Sequence, residues 1–271
     1  MSRLLAVLLW LVATPLAAAP VCERVVAAGN PQYPPLLWVD PQDRSRLVGV
    51  GADMLADVLA PAGVKVDVLN VGPWSRAQEE ARSGRVDMLV GAFLTRERLE
   101  YMDYVYPPYM EVPSAIFVRR DSLFPWSGWH DLRGLKGSTL LNNSFGMAFD
   151  RYARDYLQIK QVPSIEQSFQ LLQRARVDYV VYERHQGEAL LLQMGLADEI
   201  VAMEGSVNAE PLYLTISHNS ACNTAALRRA LATGLADWLR EGRLEPLLER
   251  NRERWLAQFP PAASAVEPVA E

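Results

Sequence analysis

Residues 89–109 read "LVGAFLTRERLEYMDYVYPPY". A run from Val86 to Leu94, apolar but for Asp87, breaks into Thr95-Arg96-Glu97-Arg98, and a second run from Tyr101 to Tyr109, apolar and aromatic but for Asp103, follows at once. A short, continuous apolar run suits a strand covered on both faces, as strands of parallel sheets are. Such strands point their carboxyl ends at a ligand crevice. Two arginines at that end therefore raise the question of what anion they hold.

Outward from this stretch, strand and helix alternate. Towards the N-terminus the pattern predicts a strand at 24–28, a helix at 51–63, a strand at 64–69 and a helix at 74–84 before the strand at 86–90. Met54, Leu55, Val58 and Leu59 share one helical face. Towards the C-terminus the series repeats: strand 138–141, helix 145–157, strand 159–162, helix 165–175 and strand 177–182. Ser164 with Gln167 three residues on is a helix-start signature. Alternation of this kind points to an α/β fold. "RVDMLV" at 85–90 is echoed by "RVDYVV" at 176–181, each after an amphipathic helix, which favours two similar lobes over one long sheet. Residues 106–122, rich in proline, form an extended link between them. A strand at 210–217 and helices at about 221–240 and 244–258 follow, and residues 259–271 lack periodicity and are expected to be disordered.

The echo supplies two equivalent strand ends. One leads to Arg98, the other to Tyr182, Glu183 and Arg184. Arginine pairs bidentately with a carboxylate, and an opposed carboxylate suits an ammonium. Periodicity alone leaves open the plainer reading, in which Arg96, Arg98, Glu183 and Arg184 are solvated loop charges.

The chain has 271 residues, is 50% hydrophobic and 22% charged, and carries a net charge of −5. That composition is globular and argues against nucleic acid as a partner. His130, His185 and His218 are isolated, without metal-ligand spacing, and no metal or cofactor is expected. Residues 1–19 read as a cleaved signal peptide: Arg3, a short apolar stretch, then Ala17-Ala18-Ala19. The stretch is a poor length for a membrane anchor, and Val21 spoils a lipoprotein signal before Cys22. Export to the periplasm, an oxidising compartment, makes the two cysteines beyond it, Cys22 and Cys222, a candidate disulfide, with two free thiols as the alternative.

Four stretches carry a resemblance: "YPPLLWVDPQDRSRLVGVGADMLADVLA" (33–60), "GRVDMLVGAFLTRERLEYMDYVYPPY" (84–109), "DLRGLKGSTLLNNSFGMAFDRY" (131–152) and "LREGRLEPLLER" (239–250). Together they resemble the bacterial extracellular solute-binding proteins of family 3, the polar amino-acid receptors of ABC importers. The resemblance implies a two-lobed, type II periplasmic binding protein, a Venus flytrap with two interlobe crossovers. Lobe 1 would comprise 23–110 and 206–258, and lobe 2 would comprise 111–205, with Cys22 and Cys222 both in lobe 1. It implies a monomer that captures a small polar molecule, an amino acid or related carboxylate, for an ABC permease.

By the same resemblance Arg98 is the carboxylate-binding residue and Glu183 the amine-binding one. Tyr33 is the aromatic lid, Asn30 its polar neighbour, and Asn143 and Ser144 supply donors from lobe 2. "GPWSRAQ" (72–78) would place Trp74 and Arg76 at the cleft border. Two positions depart from the family pattern. Phe93 stands where a Ser or Thr is usual, and Glu183 where Asp is usual. Two other functions compete with a non-enzymatic transport receptor. One is an enzyme on the same fold, like the periplasmic cyclohexadienyl dehydratases, with Glu183 or His185 as the acid. The other is a soluble sensor acting in trans.

Overall fold

The computed structural model describes residues 22–259. β1 (Arg24–Ala28) is followed by a small antiparallel sheet of β2 (Gln32–Tyr33), β3 (Leu37–Val39) and β4 (Leu47–Val48). Strands this short carry no alternation signal, and the sequence does not reveal them. α1 (Val50–Leu59) buries Met54, Leu55, Val58 and Leu59, the face its spacing selects. β5 (Lys65–Val68), α2 (Trp74–Arg82) and β6 (Met88–Phe93) complete the first series. β5, β1 and β6 lie side by side and parallel.

After the short β7 (Met102–Tyr104), the expected proline-rich link is instead a ten-residue strand, β8 (Met110–Arg119). Its one internal proline, Pro113, sits among residues 112–118 that are otherwise apolar or small, so the segment is buried by its neighbours. The second series is β9 (Lys136–Leu140), α3 (Met147–Tyr156), β10 (Gln158–Val162), α4 (Ile165–Gln173) and β11 (Tyr179–Glu183), with β10, β9 and β11 parallel. Ser164 caps α4 by accepting from Gln167 N. α5 (Arg184–Gln193) and β12 (Ile200–Ala202) have no clear signature in the sequence; the apolar residues of α5 fall in one run, 189–192, rather than recurring. β13 (Asn208–Ser217), α6 (Ala225–Arg240) and α7 (Leu244–Leu256) end the described chain.

β8 and β13 tie the two series together. Their first halves pair with each other, Met110–Ser114 against Asn208–Leu212. The second half of β13 continues along β6, and the second half of β8 along β11. One curled sheet results, in the order β10-β9-β11-β8-β13-β6-β1-β5, and the chain crosses between the parallel blocks along both long strands. Side chains of β8 alternate between faces. Ala115 and Phe117 join the main core, while Ile116 and Val118 join a second cluster with Phe149, Tyr179 and Val181. Burial on both faces is why β6 and β11 read as apolar runs.

The echo has a structural meaning. Asp87 accepts from Val26 N at 2.8 Å, and Asp178 accepts from Lys136 N at 2.7 Å. Each aspartate anchors the neighbouring parallel strand of its own block. Cys22 and Cys222 form a disulfide with a Cα–Cα distance of 5.4 Å, fastening the approach to β1 to the segment before α6.

Among the described residues no helix is long and apolar enough to cross a membrane, and no group of three or more His, Cys, Asp or Glu could hold a metal ion. The 1–19 segment and residues 260–271 lie outside the described residues. Phe259, expected in the tail, packs on the Trp255 ring at 5.0 Å.

Candidate functional site

β6 is bent where it nears the crossover. Tyr213 pairs with Ala92 and Leu214 with Val90, so Gly91 is an extra residue in the ladder. Its φ of +95° suits glycine, and a Cβ there would lie 2.9 Å from Tyr109 Oη. Such a bulge re-aims the strand end. Beyond Phe93 the chain turns back on itself. Thr95 Oγ1 accepts from Arg98 N at 3.2 Å, and a single 3-10 turn spans Arg98–Glu100. That turn leaves Arg96 exposed and drives Arg98 inward, to 4% exposure.

The guanidinium of Arg98 is held from three sides. Nη1 donates to Phe93 O at 2.9 Å, Nε to Gln78 Oε1 at 3.2 Å, and Nη2 to Asn142 O at 3.1 Å. Its carbon lies 5.2 Å from the Trp74 ring centre. Gln78 Nε2 also donates to Asn142 O, at 3.3 Å. The cation is thus solvated by neutral acceptors from both β–α series, with no carboxylate in contact.

Glu183 closes β11 and opens α5, and it is 1% exposed. Oε1 accepts from Asn143 Nδ2 at 3.1 Å, while Oε2 has no partner. Burial pushes the carboxyl up from 4.5 to about 7, against the pull of the Asn143 bond and the Arg98 charge. Ser114, paired with Glu183 across β8 and β11, likewise has an unpartnered buried hydroxyl.

The two charged groups line one cavity of about 10 Å³, together with Asn30, Tyr33, Trp74, Phe93, Asn143, Gly91, Ala92 and Leu212. That is the room of about one water molecule. Larger grooves of about 540 and 560 Å³ lie elsewhere on the surface, but neither holds a pair of buried opposite charges.

Of the residues singled out in the sequence, the cavity gathers Asn30, Tyr33, Trp74, Phe93, Arg98, Asn143 and Glu183. Ser144 lies outside it, its hydroxyl donating to the Asp150 carboxylate at the start of α3. Arg76 is exposed and reaches Glu80 at 3.5 Å instead of the cleft. Arg184 donates to the Met203 and Gly205 carbonyls. His185 stands on the surface of α5, 3.7 Å from Glu188. Phe93 presents an apolar wall, and only its carbonyl is polar toward the arginine.

Several residues escape a reading of the sequence. Gln78 follows Trp74 by four positions and so shares its helix face; that spacing is a signal favouring it over Arg76. Tyr182 donates to Gln32 O at 2.7 Å and accepts from Asn30 Nδ2 at 3.1 Å, while Gln32 also reaches Ile165 N at 3.1 Å and Glu166. Burial and the nearby Glu183 charge push both Tyr33 and Tyr182 well above the usual phenol range, so both hydroxyls stay protonated. These contacts join residues more than a hundred positions apart, and no local pattern marks them.

Among solved structures, a histidine kinase sensor domain with similarity to periplasmic binding proteins is 26% identical (TM-score 0.70, covering 87% of this chain and 97% of that one). An amino-acid ABC transporter substrate-binding protein from Streptococcus pneumoniae, bound to L-arginine, is 16% identical (TM-score 0.70, 86% and 96% covered). An ancestral arginine-binding protein bound to glutamine is 21% identical (TM-score 0.67, 86% and 97% covered). These likenesses establish the two-lobed periplasmic-binding-protein fold. Among curated protein sequences none matches. The family model of bacterial extracellular solute-binding proteins, family 3, matches residues 25–256, almost the whole described chain, and the chain belongs to that family.

Proposed function

We propose that the chain is a periplasmic receptor that captures an amino acid between lobe 1 (23–110 and 206–258) and lobe 2 (111–205) and delivers it, as a monomer, to an ABC permease. One observation carries this reading: Arg98 and Glu183, rooted in different β–α series, are buried on the same cavity, and Glu183 Oε2 is unpartnered. A zwitterion supplies what both lack, a carboxylate for the guanidinium and an ammonium for the carboxyl. The ligands named for the structural neighbours, arginine and glutamine, are of this class. Tyr33, Trp74 and Phe93 would enclose the ligand, and Asn30 and Asn143 would donate to it. An enzyme is the poorer reading, because His185 lies away from the cavity and leaves Glu183 as its one candidate acid.

A thermal-shift screen of amino acids, polyamines and organic acids tests the proposal. A ligand at a hundred times its Kd should stabilise the protein by about 2.7 kcal/mol. A response to organic acids or polyamines but to no amino acid would overturn it. The 26% identical sensor domain supports a second reading, a sensor acting in trans; amino-acid uptake that is lost on deleting the receptor separates transport from sensing.

A further inference from the structure

We propose that the cleft selects amino acids with a small, uncharged side chain and rejects arginine and other dibasic amino acids. The inference rests on the amino-acid reading above and departs from the arginine named for a structural neighbour. It stands first on counting charges. Arg98 and Glu183 are the charged side chains that line the cavity, and the α-carboxylate and α-ammonium of any amino acid use both. A guanidinium or second ammonium would then meet Tyr33, Trp74, Phe93, Leu212 and the neutral amides of Asn30 and Asn143, with no counter-charge. An unpaired cation enclosed among uncharged groups is strongly unfavourable. An aromatic face can offset part of that cost, but the Trp74 ring already carries the Arg98 guanidinium.

Three carboxylates on the surrounding segments are committed elsewhere. Asp150 accepts from Ser144 Oγ and from Phe145 N at 2.9 Å, Glu210 accepts from Asn208 Nδ2, and Glu166 accepts from Gln32. None of the three lines the cavity.

Size points the same way. The lobes meet through Arg98 and Gln78 on Asn142 O, through Asn30 and Tyr182, and through Gln32 on the start of α4. Of the residues in these contacts, Arg98 and Asn30 also line the cavity of about 10 Å³. Every atom a ligand adds beyond its α-carbon holds the lobes further apart and forfeits more of these bonds. A methyl or hydroxymethyl side chain forfeits the fewest.

Titration calorimetry on the whole protein at pH 8 with L-alanine, L-serine and L-arginine decides the matter. Alanine or serine should bind at least 100-fold more tightly than arginine, a difference of about 2.8 kcal/mol. Arginine binding as tightly as either overturns the selectivity and leaves amino-acid capture standing. If none of the three binds and no other amino acid does, both readings fall together.

Discussion

Replacing Glu183 with Gln should change the pH dependence of stability more than stability itself. The carboxyl is raised from 4.5 to about 7, chiefly because burial strips water from it. At about 1.4 kcal/mol per pKa unit, that displacement corresponds to about 3 kcal/mol. The sign follows from which state holds the proton. Below about pH 4.5 the group is neutral in both folded and unfolded chains and costs nothing. As pH rises, the unfolded chain ionises first, while the folded one keeps its proton until about pH 7. Wild-type stability therefore falls across this window, and above it the full cost persists. The amide of the Glu183→Gln variant has no proton to lose, so its own profile lacks the fall. Urea unfolding of both proteins, disulfide intact, at pH 5 and pH 8 measures the difference. The gap in unfolding free energy, variant minus wild type, should grow by about 2–3 kcal/mol over that interval, whatever constant offset the amide introduces. A gap that stays constant would refute the claim that an ionisable, partnerless carboxyl is enclosed in the cavity.

Other outcomes follow from the same geometry. Arg98→Met should weaken binding of a carboxylate ligand by about two orders of magnitude or more, while Arg96→Met, exposed outside the cavity, should bind like wild type in the same calorimetry. Ligand binding at pH 6 should release close to one proton, because an ammonium beside Glu183 favours its charged form; enthalpies that do not vary with the buffer's ionisation heat would contradict this. Replacing Cys22 and Cys222 with Ser opens a loop with a separation of 200 residues, and the chain-entropy model puts the loss at about 5 kcal/mol, readable as a lower urea midpoint. Small-angle scattering should show opening in a Gln78→Ala, Asn30→Ala double variant, which loses bonds between the lobes; an unchanged radius of gyration would deny them a role in closure.

The sequence reveals what local periodicity can encode. β6 and β11 stand out because burial on both faces leaves nearly unbroken apolar runs, and the echoed aspartates because each anchors a neighbouring strand in the same way. The sharp turn from apolar to charged after β6 marks Arg96 and Arg98 alike, and the family resemblance is what selects Arg98. What stays hidden is non-local. β8 reads as a link because Pro107 and Pro108 before it, Pro113 within it and its polar residues mask a strand paired along its length with β13, β11 and β12. Asn142 gives the site only its carbonyl, from a backbone with a φ of +58°, and a side-chain reading has no access to that. Gln78 is within reach of the helix spacing, whereas Tyr182 and Gln32 meet only after the lobes have come together.

The way Arg98 is held bears on how closure can respond to ligand. A guanidinium shut into a cavity without a counter-ion is costly unless dipoles replace its water. Here Phe93 O and Gln78 Oε1 supply two of them from one β–α series, and Asn142 O supplies the third from the other. Opening the cleft removes the third and returns that face of the cation to water, so the arginine is solvated in either position and exerts little preference of its own. Glu183 differs, since its enclosure without a partner costs more as pH rises toward 7, up to the ~3 kcal/mol set by its displacement from 4.5 to about 7. Neither buried group drives closure, which leaves the balance to a ligand that interacts differently with the open and closed states. In the proposed reading a zwitterion would do so, because its two charges would reach partners on both lobes only when the lobes are together. A ligand with one charge would engage one lobe and shift the balance far less.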